Sequence, residues 1–207
     1  MTTLAALKSC LIELAAATDM RFEATKDDEK EIQALAAEVE AQNPTRDAAQ
    51  RAELLDGRWR LLYSSFRLTR EATLARLSFN KLPEITVRVE GIYQEVGSQA
   101  GHYNNLVHFS HGEVRGVQAT KGRFRPATEQ RLEIEFYGTD VFPEDRKVPP
   151  ARFAGALGTS PDRLAAPLET QGLWSDVVYL DGELRLMRGA YRNLYVLVRE
   201  PHDPVSF

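Results

Sequence analysis

Two hydrophobic periods divide the chain. Over residues 3–18 the apolar side chains Leu4, Leu7, Leu11, Leu14 and Ala15 recur at helical spacing, with Lys8 and Glu13 off that stripe. Thr2 or Thr3 is the expected N-cap. A second helix is expected over 26–41. Asp27, Asp28 and Glu29 crowd its first turn, where the helix dipole favours carboxylates, and Ile32, Leu35, Ala36 and Val39 make its apolar stripe. Asn43-Pro44 ends it, and Thr45 is the expected cap of a short third helix over 46–55. From Gly57 the period shortens to two. Trp59, Leu61 and Tyr63 alternate with Arg58 and Arg60 over 58–65, and further strands are expected over 85–96, 103–110, 113–124 and 131–142. Residues 67–82 carry no clear period; Thr69 is a candidate cap for a helical turn reaching Leu77.

The carboxyl end has the clearest strand grammar. Asp181-Gly182 separates Val177–Leu180 from Leu184–Met187, a pairing that predicts a type I′ hairpin because both turn residues tolerate positive φ. A break at Gly189-Ala190 leads into a last strand over 194–198. Between the two halves, residues 145–172 contain Pro149, Pro150, Pro161, Pro167, Gly155 and Gly158. So long an irregular connection reads equally as a binding lid or as a variable insertion. About eight strands then suffice to close an up-and-down antiparallel barrel wide enough for one small ligand. The expected fold is mainly β (α+β): two to three helices in a segment 1–56 packed on a barrel 57–207, together one structural unit.

Charge refines this picture. The net charge of −4 argues against nucleic acid, which needs a basic face. Residues 1–56 hold six Lys/Arg against twelve Asp/Glu, so the acidity belongs to the helices, and their exposed face is a candidate dock for a protein partner. The single Cys10 excludes an internal disulfide and reads as a small buried core residue. No run of about 20 apolar residues, secretory signal or transit peptide stands out, so the expectation is a cytoplasmic or membrane-peripheral protein.

Catalytic and metal motifs are lacking: there is no nucleophile elbow, P-loop, dinucleotide fingerprint or zincin motif. His108 and His111 point to opposite faces of a strand and have no cysteine to complete a metal site. Ser64 and Ser65 have no evident base. Asp176 is expected to pair with an arginine such as Arg185 or Arg188. The expectation is therefore no enzyme, no metal and no cofactor. Gly57-x-Trp59 opens the first strand after a helix, an arrangement in which the indole plugs the closed end of a lipocalin-like barrel, with Arg188 or Arg192 as the cation expected over it.

At this point the residues resemble a known family. The run Leu54-Leu55-Asp56-Gly57-Arg58-Trp59-Arg60-Leu61-Leu62-Tyr63-Ser64-Ser65 is similar to the opening strand of the plastid lipid-associated protein (fibrillin) family. Val178–Gly189 followed by Asn193–Val198 resembles the family's closing signature, and Gln42-Asn43-Pro44-Thr45 fits its preamble. The resemblance implies a lipocalin-like barrel associated with thylakoids and lipid globules, in plastids and cyanobacteria, with a cyanobacterial-type member the natural reading. Asp181 matches the acidic residue of the closing signature, although family members usually carry an acidic residue where this chain has Gly182.

Two functions follow as expectations. The first is non-enzymatic binding or carriage of a hydrophobic small molecule (a lipid, carotenoid or prenylquinone) at or near thylakoid membranes. Leu61, Tyr63, Val107, Phe109, Phe136, Leu194 and Val196 are the expected lining, with Gly57, Trp59, Asp181 and Arg188 as structural signature. The second is a scaffolding protein of lipid globules or the thylakoid surface, with a packed barrel that acts through protein contacts.

Overall fold

In the computed structural model, which describes residues 3–66, 68–190 and 192–201, the two amino-terminal helices lie where the stripes put them. They are α1 (Leu4–Ala17) and α2 (Lys26–Glu40). Thr3 caps α1 by accepting from the Ala6 amide; Thr2, the alternative, lies outside the described residues. Thr25 and Asp28 form a reciprocal capping box on α2. Between the helices Asp19, Met20 and Arg21 all adopt positive φ (47°, 57° and 87°). This left-handed step costs about 1–2 kcal/mol per residue. It is held by the Met20 amide donating to the Leu62 carbonyl and by the ion pairs Arg70–Asp19 and Arg21–Glu29.

The expected third helix is broken into a 3₁₀ turn, Ala48–Gln50, and the single-turn α3 (Ala52–Leu55). Thr45 does not cap it. Its hydroxyl donates to the Leu180 carbonyl (2.7 Å), while Asn43 Oδ1 accepts from the Leu180 amide, so Asn43-Pro44-Thr45 clasps the barrel instead. Cys10 is exposed, not buried: the buried stripe of α1 is Leu7, Leu11 and Ala15, and Cys10 is one residue, about 100°, off it.

The strands are β1 (Gly57–Ser64), β2 (Glu71–Thr73), β3 (Thr86–Gly97), β4 (His102–His111), β5 (Val114–Pro126), β6 (Arg131–Pro143), β7 (Ala165–Pro167), β8 (Leu173–Leu180), β9 (Leu184–Gly189) and β10 (Leu194–Glu200). Every pairing is antiparallel, in the order β1-β10-β9-β8-β6-β5-β4-β3, and β1 pairs with β3 to close the ring. The result is the expected eight-stranded barrel, with β2 and β7 as short additions on β3 and β6. The helical turn expected to reach Leu77 forms with a different cap, and one further helix was not evident from the pattern. Thr73, not Thr69, caps a single-turn α4 (Leu74–Leu77). In the Pro-rich connection, α5 (Pro150–Ala156) starts on Pro150, whose lost N–H is no cost at a first helical turn.

Three apolar clusters set the layers. One fills the barrel, from Trp59 and Leu61 to Val107, Phe136, Val177, Met187 and Leu197. A second lies outside it, where α1 and α2 cover Leu62, Tyr63, Tyr179, Leu184, Leu186, Leu194 and Val196. The third closes one end, with Phe153 and Leu157 of the Pro-rich connection packed on Leu74, Val87, Phe109 and Val141. That connection is therefore an ordered plug.

Candidate functional site

The opposite end of the barrel is sealed around Trp59, which is fully buried. Its indole N–H donates to the Leu55 carbonyl (2.9 Å), tying β1 to α3. Arg199 lies over the ring (4.3 Å) and donates to the carbonyls of Gly182, Asp56 and Leu54, so one guanidinium draws three chain segments together. Gly57 makes room for it. Its φ of 128° suits glycine alone, and a Cβ there would stand 2.7 Å from Arg199 Nη1. The cations on the indole are thus Arg199 and Arg185, not Arg188 or Arg192. Arg188 points outward and pairs with Glu40 of α2 (2.7 Å). Asp176 is held by Arg131 through two bonds of 2.7 and 2.8 Å, because Arg131 is its direct cross-strand neighbour.

Asp181 anchors the closing hairpin, but not through a type I′ turn. Gly182 is absent from the positive-φ glycines; Asp181 Oδ1 instead accepts from the amides of Glu183 and Leu184, and its own amide donates to the Leu184 carbonyl. Asp181 Oδ2 accepts from Lys8 Nζ of α1 (2.5 Å) and from the Tyr179 hydroxyl (2.6 Å). Burial alone would push the Asp181 carboxyl up; these four donors outweigh it and hold the group below its ordinary range. Its contribution to stability is complete above the unfolded value, about 3.9, and disappears as pH falls through the lower folded value. Asp181→Asn is therefore expected to cost about 1–3 kcal/mol at pH 7. Thermal melts should show that deficit shrinking below pH 4; an equal deficit at pH 7 and pH 3 would refute the charge-based account.

The expected lining residues divide among the three clusters. Leu61, Val107 and Phe136 face the barrel interior. Phe109 belongs to the plugged end. Tyr63, Leu194 and Val196 pack beneath α1 and α2 on the outer face. The cause on β1 is a bulge: Leu61 opposes Leu197 and Tyr63 opposes Val196, so Leu62 is an extra residue and Tyr63 turns outward.

Inside the barrel the wall is mixed. Gln94, Asn105, Thr120 and Thr139 are successive cross-strand partners on β3, β4, β5 and β6 and form one polar row, to which Gln118 adds hydrogen bonds to both threonine hydroxyls. Arg185 enters from β9. It is fully buried, its Nη2 donates to Gln94 Oε1 (2.5 Å), and its Nε and Nη1 have no hydrogen-bond partner. Burial lowers its guanidinium to about 10, which leaves it charged at neutral pH. Tyr103, also inside, has its hydroxyl pushed up to about 12 by burial. Gln94, Asn105 and Tyr195, although at mid-strand positions on this inner face, are only partly buried. The pattern missed Arg185 because it sits in the apolar run Leu184-Arg185-Leu186-Met187, where a cation reads as facing solvent.

Of the clefts on the barrel's outside, two are the most spacious. One of about 640 Å³ lies against β5, β6 and the start of β8, and its lining includes Phe124, Ile134 and Leu173, which also pack in the interior cluster. The other, of about 600 Å³, lies beside α5. His108 contacts Arg58 (3.1 Å) and Glu144 (2.9 Å), and His111 contacts the Thr86 carbonyl, so the two histidines do not converge. Among the described residues no group of three His, Cys, Asp or Glu is placed to hold a metal, and no helix is long and apolar enough to cross a membrane. Ser64 Oγ and Ser65 Oγ accept from the amides of Phe66 and Leu194.

The chain is 26% identical to a plastid-lipid-associated protein of Citrus unshiu, over 94% of its own length and 68% of the relative's. It is 27% identical to a light-induced chloroplast protein of Solanum tuberosum and to a chromoplast-specific carotenoid-associated protein of Cucumis sativus, over 94% of its length and 67% of theirs. No solved structure gives a significant match. The PAP_fibrillin family model matches residues 5–198, and the chain belongs to that family.

Proposed function

We propose that the barrel interior binds one apolar small molecule (a lipid, carotenoid or prenylquinone) and carries it at or near a photosynthetic membrane. The carrying observation is the composition of the inner wall. Leu61, Val107, Ile134, Phe136 and Leu197 supply apolar surface, while a few polar groups converge from β3, β4 and β9. This is the usual make-up of a small-molecule pocket. The mid-strand residues Gln94, Asn105 and Tyr195 on this inner face are only partly buried.

The driving force would be burial of ligand surface, worth about 25 cal/mol per Å². The cleft that shares Phe124, Ile134 and Leu173 with the interior is the natural entry. Phe79, half exposed and at a φ of 55°, stacks on Phe136 near this wall and offers an apolar contact to a lipid surface. The names of the relatives, one plastid-lipid-associated and one carotenoid-associated, support a lipid-related role. The test is mass spectrometry of the protein purified from a photosynthetic host under native conditions. One stoichiometric apolar molecule released on denaturation is expected; a protein that carries none and takes up none on titration would refute the reading.

A further inference from the structure

Arg185 raises a question that the carrier reading alone does not answer. It is fully buried, and the Coulombic partners that act on it are the neutral hydroxyl of Tyr103 and the like charge of Arg199. Among the described residues no carboxylate forms an ion pair with it; its hydrogen bond is to the neutral Gln94. A charge taken out of water without a counter-ion costs several kcal/mol, which is why buried cations are nearly always paired. Nor is Arg185 needed to seal the barrel. Arg199 already covers Trp59 and binds three carbonyls at the closed end.

The direction of Arg185 is informative. Its guanidinium carbon lies 4.7 Å from the centre of the indole, and Gln94 occupies one nitrogen. Nε and Nη1, both without partners, remain as separate charged donors, each sharing an edge of the guanidinium with the Nη2 that Gln94 occupies. Either can donate a charge-assisted hydrogen bond to an oxygen of a carboxylate. Asn105, the cross-strand partner of Gln94, also has an unpartnered amide oxygen on the same inner row. The amide can rotate to offer its N–H₂ to an anion.

Granting the carrier reading, we infer that the barrel takes its ligand as an anion: a long-chain monocarboxylate whose head is held by Arg185 above Trp59 and whose chain lies along Val107, Ile134 and Phe136. The head supplies the counter-charge that the fold omits. A neutral lipid of the same length would fill the apolar wall and leave Arg185 uncompensated.

The experiment titrates cis-parinaric acid, its methyl ester and decylubiquinone into the wild-type protein and into Arg185→Met at pH 8, where the acid is ionised. The wild type is expected to bind the acid at least tenfold more tightly than the ester or the quinone, since charge-assisted hydrogen bonds are the strong class. Arg185→Met should remove that preference and leave ester binding within about twofold. Equal affinities of the wild type for acid, ester and quinone would overturn the anionic-head proposal while the carrier reading stands. An acid preference that survives in a folded Arg185→Met would overturn it too. Failure of the wild type to bind any of the three would refute the carrier reading itself. The wild-type comparison decides the matter even if the variant does not fold.

Discussion

Replacing Trp59 by alanine is expected to destabilise the protein by about 3–5 kcal/mol, the range for a large buried aromatic. For a chain of this size that lowers the melting temperature by on the order of 10 °C. The indole is fully buried, bonds the Leu55 carbonyl and lies against both Arg185 and Arg199. Removing it opens the closed end of the barrel and leaves Arg199 without the surface that orients its three carbonyl bonds. Trp59→Phe keeps a ring for the cations and loses the N–H bond, so it should cost much less, about 1 kcal/mol for the hydrogen bond plus the lost ring volume. Equal melting temperatures for Trp59→Ala and the wild type would show that the indole is not the plug described.

Deleting residues 1–42 is expected to have the larger effect. α1 and α2 cover a wall of the barrel formed by Leu62, Tyr63, Tyr179, Leu184, Leu186, Leu194 and Val196, all buried beneath them. Exposing seven large apolar side chains at once leaves a patch of a size that folded monomers rarely present to water. The same deletion removes Lys8 from Asp181 and Glu40 from Arg188. The truncated chain should aggregate, or bind the dye ANS with loss of cooperative melting. A soluble truncation with a sharp transition and native near-ultraviolet dichroism would mean that the helices are an appendage and that the barrel folds alone.

Much of this architecture was legible in the sequence, because strand alternation and turn residues are local signals. All eight barrel strands fall within a few residues of their expected positions, and Leu7, Leu11, Ile32, Ala36 and Val39 are buried on the helical stripes that predicted them. What failed was the assignment of faces. A one-residue bulge at Leu62 moved Tyr63 from the interior to the helical side. On β9 and β10 the polarity signal itself vanished, because the interior covers one face and α1 and α2 the other. Alternation of polar and apolar residues marks solvent only where one face meets solvent. That is why Leu194 and Val196 were expected inside, and why nothing in the pattern marked Arg185 as the most buried cation among the described residues. Arg188, three residues on, has the opposite parity and faces Glu40 of α2 on the side of Leu184 and Leu186. The short β2 and α5 were unreadable for a different reason: three- to seven-residue elements have too few periods to show one.

The central claim is that one apolar ligand sits inside the barrel, above Trp59. The most direct measurement uses Trp174→Phe, which leaves Trp59 as the single tryptophan, since Trp174 lines the outer cleft and the chain has two tryptophans. A C18 fatty acid dibrominated beside its carboxyl group quenches an indole only at near contact. Titration into this variant should quench Trp59 saturably at one ligand per protein. An unquenched Trp59, with quenching confined to Trp174 in the unaltered protein, would place the ligand on the surface and contradict the account.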